Sequence, residues 1–141
     1  MINCLDCERV VERSIPHAGQ HPKILMGVLR DPTWKRNVQA FMEAFVRASM
    51  YNSKDLTVLG SCSDGHHRSV ATLAMLRWLA IMLGVEPKPA RVSHMSRCQW
   101  RPSQCGENQL CDLCSEVNND KMPARIANLI WRDAHNLAKV I

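Results

Sequence analysis

"LTVLGSCSDGHHRSVA", Leu56–Ala71, joins a short apolar run to a longer one through a loop crowded with reactive and cationic side chains. The run before the loop follows the polar pair Lys54 and Asp55 and has the profile of a buried parallel strand. From His67 to Leu83 the apolar residues Val70, Leu73, Ala74, Leu76, Trp78, Leu79 and Met82 lie almost all round a helix. Gly84 is placed to close that helix from the C′ position. A strand, a glycine-bearing loop and a helix gather several backbone N–H groups around one point, where the helix N-terminus adds partial positive charge. Arg68 can grip a tetrahedral oxyanion with both arms of its fork, and the Ser69 hydroxyl can donate one more bond. Gly65 permits the tight turn, and Cys62 lies where helix dipole and arginine both favour a thiolate. Cys62, Ser63, Gly65, His66, His67, Arg68 and Ser69 are therefore the candidate anion-binding set. Within it His67, next to the arginine, is a better candidate than His66, which reads as a solvated loop residue.

Working outward, residues 1–11, "MINCLDCERVV", alternate loosely and predict a first strand. Residues 14–24, "SIPHAGQHPKI", read as a loop punctuated by proline and glycine. In "DPTWKRNVQAFMEAFVRASM" Asp31 is the expected N-cap and Pro32 the first helical residue. Val38, Phe41, Met42, Phe45 and Val46 then form one apolar stripe for the core. "EPKPARVSHM", residues 86–95, supplies a linker and a third short strand. The tail 122–141 is a last amphipathic helix with Ile126, Leu129, Ile130 and Leu137 inward. Strands alternating with helices imply an α/β fold, a mainly parallel sheet sandwiched by helices. The whole chain 1–141 reads as a single domain, with a small cysteine-rich zinc-binding appendage at 95–120.

Composition sets the outer limits. With 141 residues, 46% hydrophobic and 22% charged, the chain is long enough for a real core and globular rather than disordered. It shows no internal repeat, no apolar run long enough to span a membrane and no signal-peptide order at its start. The expected location is the cytoplasm or another reducing compartment, and seven cysteines, an odd number, argue against full disulfide pairing. A net charge of +5 favours an anionic partner without naming it.

The loop matches two families. The spacing Cys62, five residues, Arg68, Ser69 resembles the phosphate loop of cysteine-dependent protein phosphatases, in which a thiolate attacks phosphorus. Ser61 stands where those enzymes carry a histidine, and no aspartate is positioned by a recognisable motif to protonate a leaving group. "LTVLGSCSDGHHRSVA" also looks like the signature of the RapZ C-terminal domain, an apolar strand followed by G-C-x-x-G-x-H-R-S-V. The opening "LDCERV…IPHAGQHP" is similar to that domain's start, with Asp6, Pro16, His17, Gly19 and Pro22 in correspondence and Arg9 near the family's arginine. This resemblance spans roughly residues 1 to 95 and implies an α/β domain with an anion pocket that binds a regulatory RNA or a phosphorylated amino sugar. Cys62, Gly65, His67, Arg68 and Ser69 carry over on that pattern. The kinase-like domain of full-length RapZ has no counterpart, since G-x-x-x-x-G-K-[ST] does not occur.

The cysteine-rich segment departs from that pattern. Cys98, Cys105, Cys111 and Cys114 form C-x6-C-x5-C-x2-C, and "CDLC" is the spacing of a metal knuckle. Tetrahedral Zn²⁺ held by these four thiolates, or with His94 in place of Cys98, is the expected cofactor. In a stretch with few aliphatics, metal binding would replace missing core, contributing on the order of 10 kcal/mol. Cys4 and Cys7 also make a C-x2-C, but on a strand they would point to opposite faces. Trp34, Trp78, Trp100 and Trp131 are most simply core, although Trp100 beside Arg97 and Arg101 could stack on a base. The leading expectation is thus a domain binding a phosphate-bearing ligand (RNA, phosphosugar or nucleotide) at Cys62–Ser69. The alternatives are a phosphatase acting through Cys62 and Arg68, and a structural or protein-interaction module.

Overall fold

The computed structural model describes residues 2–3, 20–53, 55–61, 68–85, 105 and 111–139. Their order is β1 (Ile2–Asn3), α1 (Pro22–Arg30), α2 (Pro32–Met50), β2 (Gly60–Ser61), α3 (Arg68–Met82), α4 (Asp112–Asn118) and α5 (Ala124–Ala138). The expected α/β sandwich is overturned, because the described chain is mostly helical and its core is helix against helix. What sheet there is among the described residues consists of β1 and β2 in parallel, Ile2 opposite Gly60 and Asn3 opposite Ser61. The physical reason lies in residues 56–59. Of that apolar run Val58 packs against the core, while Leu56 and Leu59 face solvent, so it is not the two-sided buried strand its composition suggests. The first strand expected over 1–11 is described at Ile2–Asn3 alone, and the third, within 86–95, lies outside the described residues.

The stretch 14–24, expected as loop, contains the start of α1. His21 is its N-cap, the ring Nδ1 accepting the Lys23 N–H at 3.2 Å, and Pro22 opens the first turn. Ile24, Leu25, Val28 and Leu29 bury one face. Asp31 ends α1 by donating its N–H to the Val28 carbonyl and begins α2 by accepting the Thr33 N–H on Oδ1 at 2.9 Å. One residue thus turns the corner between two helices. The expected start of α2 holds, and Trp34, Val38, Phe41 and Met42 are buried, with Phe45 and Val46 half-buried farther along.

Three helices end alike. After α3, the Gly84 N–H reaches the Ile81 carbonyl and the Val85 N–H the Ala80 carbonyl, the paired bonds of a Schellman motif, with Gly84 at φ +83° as expected. Asn52 after α2 and Asp120 after α4 make the same pair of bonds at φ +53° and +63°. Side chains therefore occupy a left-handed position that favours glycine.

Ile24, Leu25, Trp34, Val38, Met75, Leu76, Leu79 and Ile130 lie at the centre of the core, each fully buried side chain of this size stabilising by roughly 1.5–3 kcal/mol. Two polar links join helices across it. The Trp34 indole N–H donates to Asp133 Oδ2 at 3.1 Å, and Arg132 meets the other carboxylate oxygen at 3.3 Å. Arg77 of α3 grips Asp120 bidentately, Nε to Oδ1 at 3.0 Å and Nη2 to Oδ2 at 3.1 Å. Trp34 is core as expected and Trp78 half-buried, but Trp131 is 45% exposed and Trp100 lies outside the described residues. No helix among the described residues is long and apolar enough to cross a membrane.

Candidate metal centre and anion site

The cysteine-rich segment is not wholly an appendage. Residues 112–118 fold as α4, which packs on α1 and sends Cys114 and Val117 into the buried interior. Cys111 is the N-cap of this helix, and its Sγ accepts the Cys114 N–H at 3.5 Å. A C-x2-C pair at a helix start therefore places both sulfurs on the same opening turn. Cys105, six positions upstream, comes back to join them, and the three sulfurs lie within 4.8 Å of one another. Cys105 and Cys111 are half-exposed, Cys114 is fully buried, and none of the three is in a disulfide.

Thiolates around a tetrahedral ion with metal–sulfur bonds of about 2.3 Å stand roughly 3.8 Å apart. The observed cluster is within a small side-chain adjustment of that spacing, so these three residues can bind a metal ion. Their electrostatics differ. Burial opposes charge on Cys111, but hydrogen bonds from Cys114 and Cys105 outweigh it and hold the Cys111 thiol below its ordinary value. Burial pushes the Cys114 thiol far up, and its neighbours Cys111 and Cys105 push in the same direction. Without a cation, the cluster eases ionisation at Cys111 and resists it at the buried Cys114. A bound divalent ion would reverse that preference at Cys114. Cys98 and His94, the two candidates for a fourth ligand, lie outside the described residues, as do Cys4 and Cys7.

Of the expected anion set, Arg68 and Ser69 are described, and both stand in the first turn of α3, largely buried. Cys62, Ser63, Gly65, His66 and His67 lie outside the described residues. The Thr72 hydroxyl donates to the Arg68 carbonyl at 2.8 Å, tightening this turn. On the incoming side β2 is held against β1, and Gly60 lies so close to α3 that an added Cβ would meet Leu73 Cγ at 3.0 Å. The strand end and the helix start are thus fixed on both sides of the six residues between them. Composition gave no sign of the Arg77–Asp120 pair, which ties α3 to the end of the helix carrying Cys114. A helix-ending turn at "NND" was its one visible hint.

No family model, curated protein or solved structure matches the chain.

Proposed function

We propose that this protein binds a phosphate-bearing ligand at the start of α3 and carries a structural zinc ion on its cysteine cluster. The observation that carries the ligand reading is the pair Arg68 and Ser69 in the opening turn of the helix that follows β2 in the chain. Backbone N–H groups, a guanidinium fork and a hydroxyl at one helix start are the elements of phosphate recognition. The net charge of +5 acts in the same direction. Ligand class, RNA or phosphosugar, is taken from the resemblance of Cys62–Ser69 to the RapZ C-terminal loop, and the α/β architecture implied by that resemblance is set aside. Zinc is the metal of choice because three thiolates suit a borderline-soft ion that needs no particular oxidation chemistry. Cys98 or His94 would complete its tetrahedron.

Calorimetry with inorganic phosphate, a hexosamine phosphate and a short RNA tests the ligand reading. Replacing Arg68 by Ala removes bonds worth about 1.5–3 kcal/mol, so binding should weaken tenfold to a hundredfold with the fold intact. Unchanged affinity for all three probes in Arg68→Ala refutes it. Robust turnover of an aryl phosphate, lost in Cys62→Ser, would identify a phosphatase instead. Elemental analysis tests the metal, with about one zinc per chain expected.

A further inference from the structure

The zinc reading leaves one property of the cluster unused: two of its three sulfurs belong to a single helical turn, and they differ sharply in exposure. Cys111 caps α4 from a half-exposed position, whereas Cys114 is fully buried three residues on. Their relation is set by α4 itself, through the Cys114 N–H to Cys111 Sγ contact of 3.5 Å, and does not depend on a metal. Cys105 is separated from them by five residues of chain. A hydroperoxide arriving from solvent therefore meets Cys111 before Cys114, and the partner held to an oxidised Cys111 by the same helical turn is Cys114.

We propose that the centre is redox-released: a hydroperoxide oxidises Cys111 and Cys114 to a disulfide and expels the zinc. This rests on the zinc reading and adds its regulation. In the first step the Cys111 thiolate sulfur attacks the outer peroxide oxygen. The O–O bond breaks, a sulfenic acid forms, and the alcohol or water leaves after taking a proton from solvent. In the second, the Cys114 sulfur attacks Cys111 sulfur. An S–S bond forms, the S–O bond breaks, and hydroxide leaves to be protonated. Two electrons pass from the two sulfurs to the peroxide. The ion then loses two of its thiolate ligands at once, keeping Cys105 alone among the described donors, and departs. The two sulfurs lie within 4.8 Å of each other, and rotation about the Cα–Cβ bonds brings them toward the roughly 2.05 Å of a disulfide. Reduction by a dithiol with zinc present restores the centre.

The test is a hydroperoxide titration of the zinc-loaded full chain. Released zinc is followed with a chromophoric chelator, and cysteine states are mapped by mass spectrometry. Expected are zinc release in step with oxidation, a Cys111–Cys114 disulfide lacking two hydrogens, and recovery by dithiothreitol plus zinc. Cys105→Ser should bind zinc more weakly yet form the same disulfide at a similar rate. Cys114→Ser should stop at a trappable sulfenic acid on Cys111. Zinc retained through excess peroxide, a bridge to Cys105, or direct passage to sulfinic acid overturns the switch while leaving the zinc reading intact. A chain that holds no zinc even after reconstitution overturns both.

Discussion

Zinc affinity should depend steeply on pH, with a slope that names the contribution of Cys114. Thiols must lose their protons to coordinate, so each proton displaced lowers apparent affinity tenfold per pH unit on acidification, or 1.36 kcal/mol. The Cys114 thiol is held high by burial, so it yields a full proton at every pH below the alkaline range. The Cys111 thiol is held low by hydrogen bonds that overcome its burial, so it gives up its proton more readily than an ordinary thiol. The proton from Cys114 alone makes affinity fall by about tenfold per unit on acidification, or about 1.4 kcal/mol, and protons from further ligands steepen the fall. Two units of acidification then remove at least about 3 kcal/mol of the roughly 10–16 kcal/mol typical of structural zinc. The assay is competition with a calibrated chelator across pH 5 to 8, with calorimetry in buffers of different ionisation heat to count protons. In Cys114→Ser the slope should drop by about one. The metal-free chain responds in the opposite sense at Cys114. A thiol raised in the folded state contributes stability that is complete below its unfolded value, 9.0, and is lost as pH rises beyond it. Cys111, lowered in the folded state, gives stability present above that value and lost as pH falls through its folded one. Affinity independent of pH, or a slope unaltered in Cys114→Ser, would refute the reasoning.

Three further outcomes follow from the packing. At Asp120, φ +63° and a bidentate bond to Arg77 act in opposite directions, so urea denaturation should rank Asp120→Ala as most destabilising, at about 2–3 kcal/mol. Asp120→Gly recovers about 1 kcal/mol of that by relaxing the backbone; equal losses for Ala and Gly would contradict it. Asp133→Ala leaves the buried Trp34 indole N–H without its acceptor and should cost about 1–3 kcal/mol by thermal denaturation, whereas a loss under 0.5 kcal/mol would mean the bond contributes little. Gly60→Ala brings a Cβ to 3.0 Å from Leu73 Cγ and should destabilise by about 1–3 kcal/mol unless α3 shifts, which a chemical-shift map of α3 would report.

The legible parts of this chain are those where cap chemistry and period agree. Asp31 with Pro32, the Val38–Phe41–Met42 stripe, Gly84 and the Ile126–Ile130 face can be read from sequence because each signal is local. The beginning of α1 was equally local but ambiguous. Pro22 after a histidine marks a helix start as firmly as Pro32 after an aspartate, yet the preceding proline and glycine in "IPHAG" make the stretch read as loop. Residues 56–59 misled for a different reason. Three apolar residues and Thr57 are too short a run to fix a period, so burial on two faces rests on composition alone, and Leu56 and Leu59 are in fact exposed. The helicity of 112–118 was hidden because the cysteines account for its spacing as well as a helix does.

That ambiguity bears on how the two candidate sites are related. A metal knuckle can hang from a domain or be built into it, and the spacing C-x2-C is the same in both cases. Here Cys114 and Val117 are buried in the fold, α4 packs on α1, and Asp120 at the end of α4 is held by Arg77 of α3, nine residues beyond Arg68. Nine residues of helix span about 13–14 Å, so α3 and the cysteine helix are linked well away from Arg68. Loss of the metal consequently reaches the start of α3 only if α3 moves as a rigid rod. Its buried Met75, Leu76 and Leu79, packed with residues of the other helices in one core, oppose such a movement. The structural consequence of emptying the cysteine centre is therefore concentrated in α4 and at Cys105 and Cys111, and the Arg68 turn keeps its geometry.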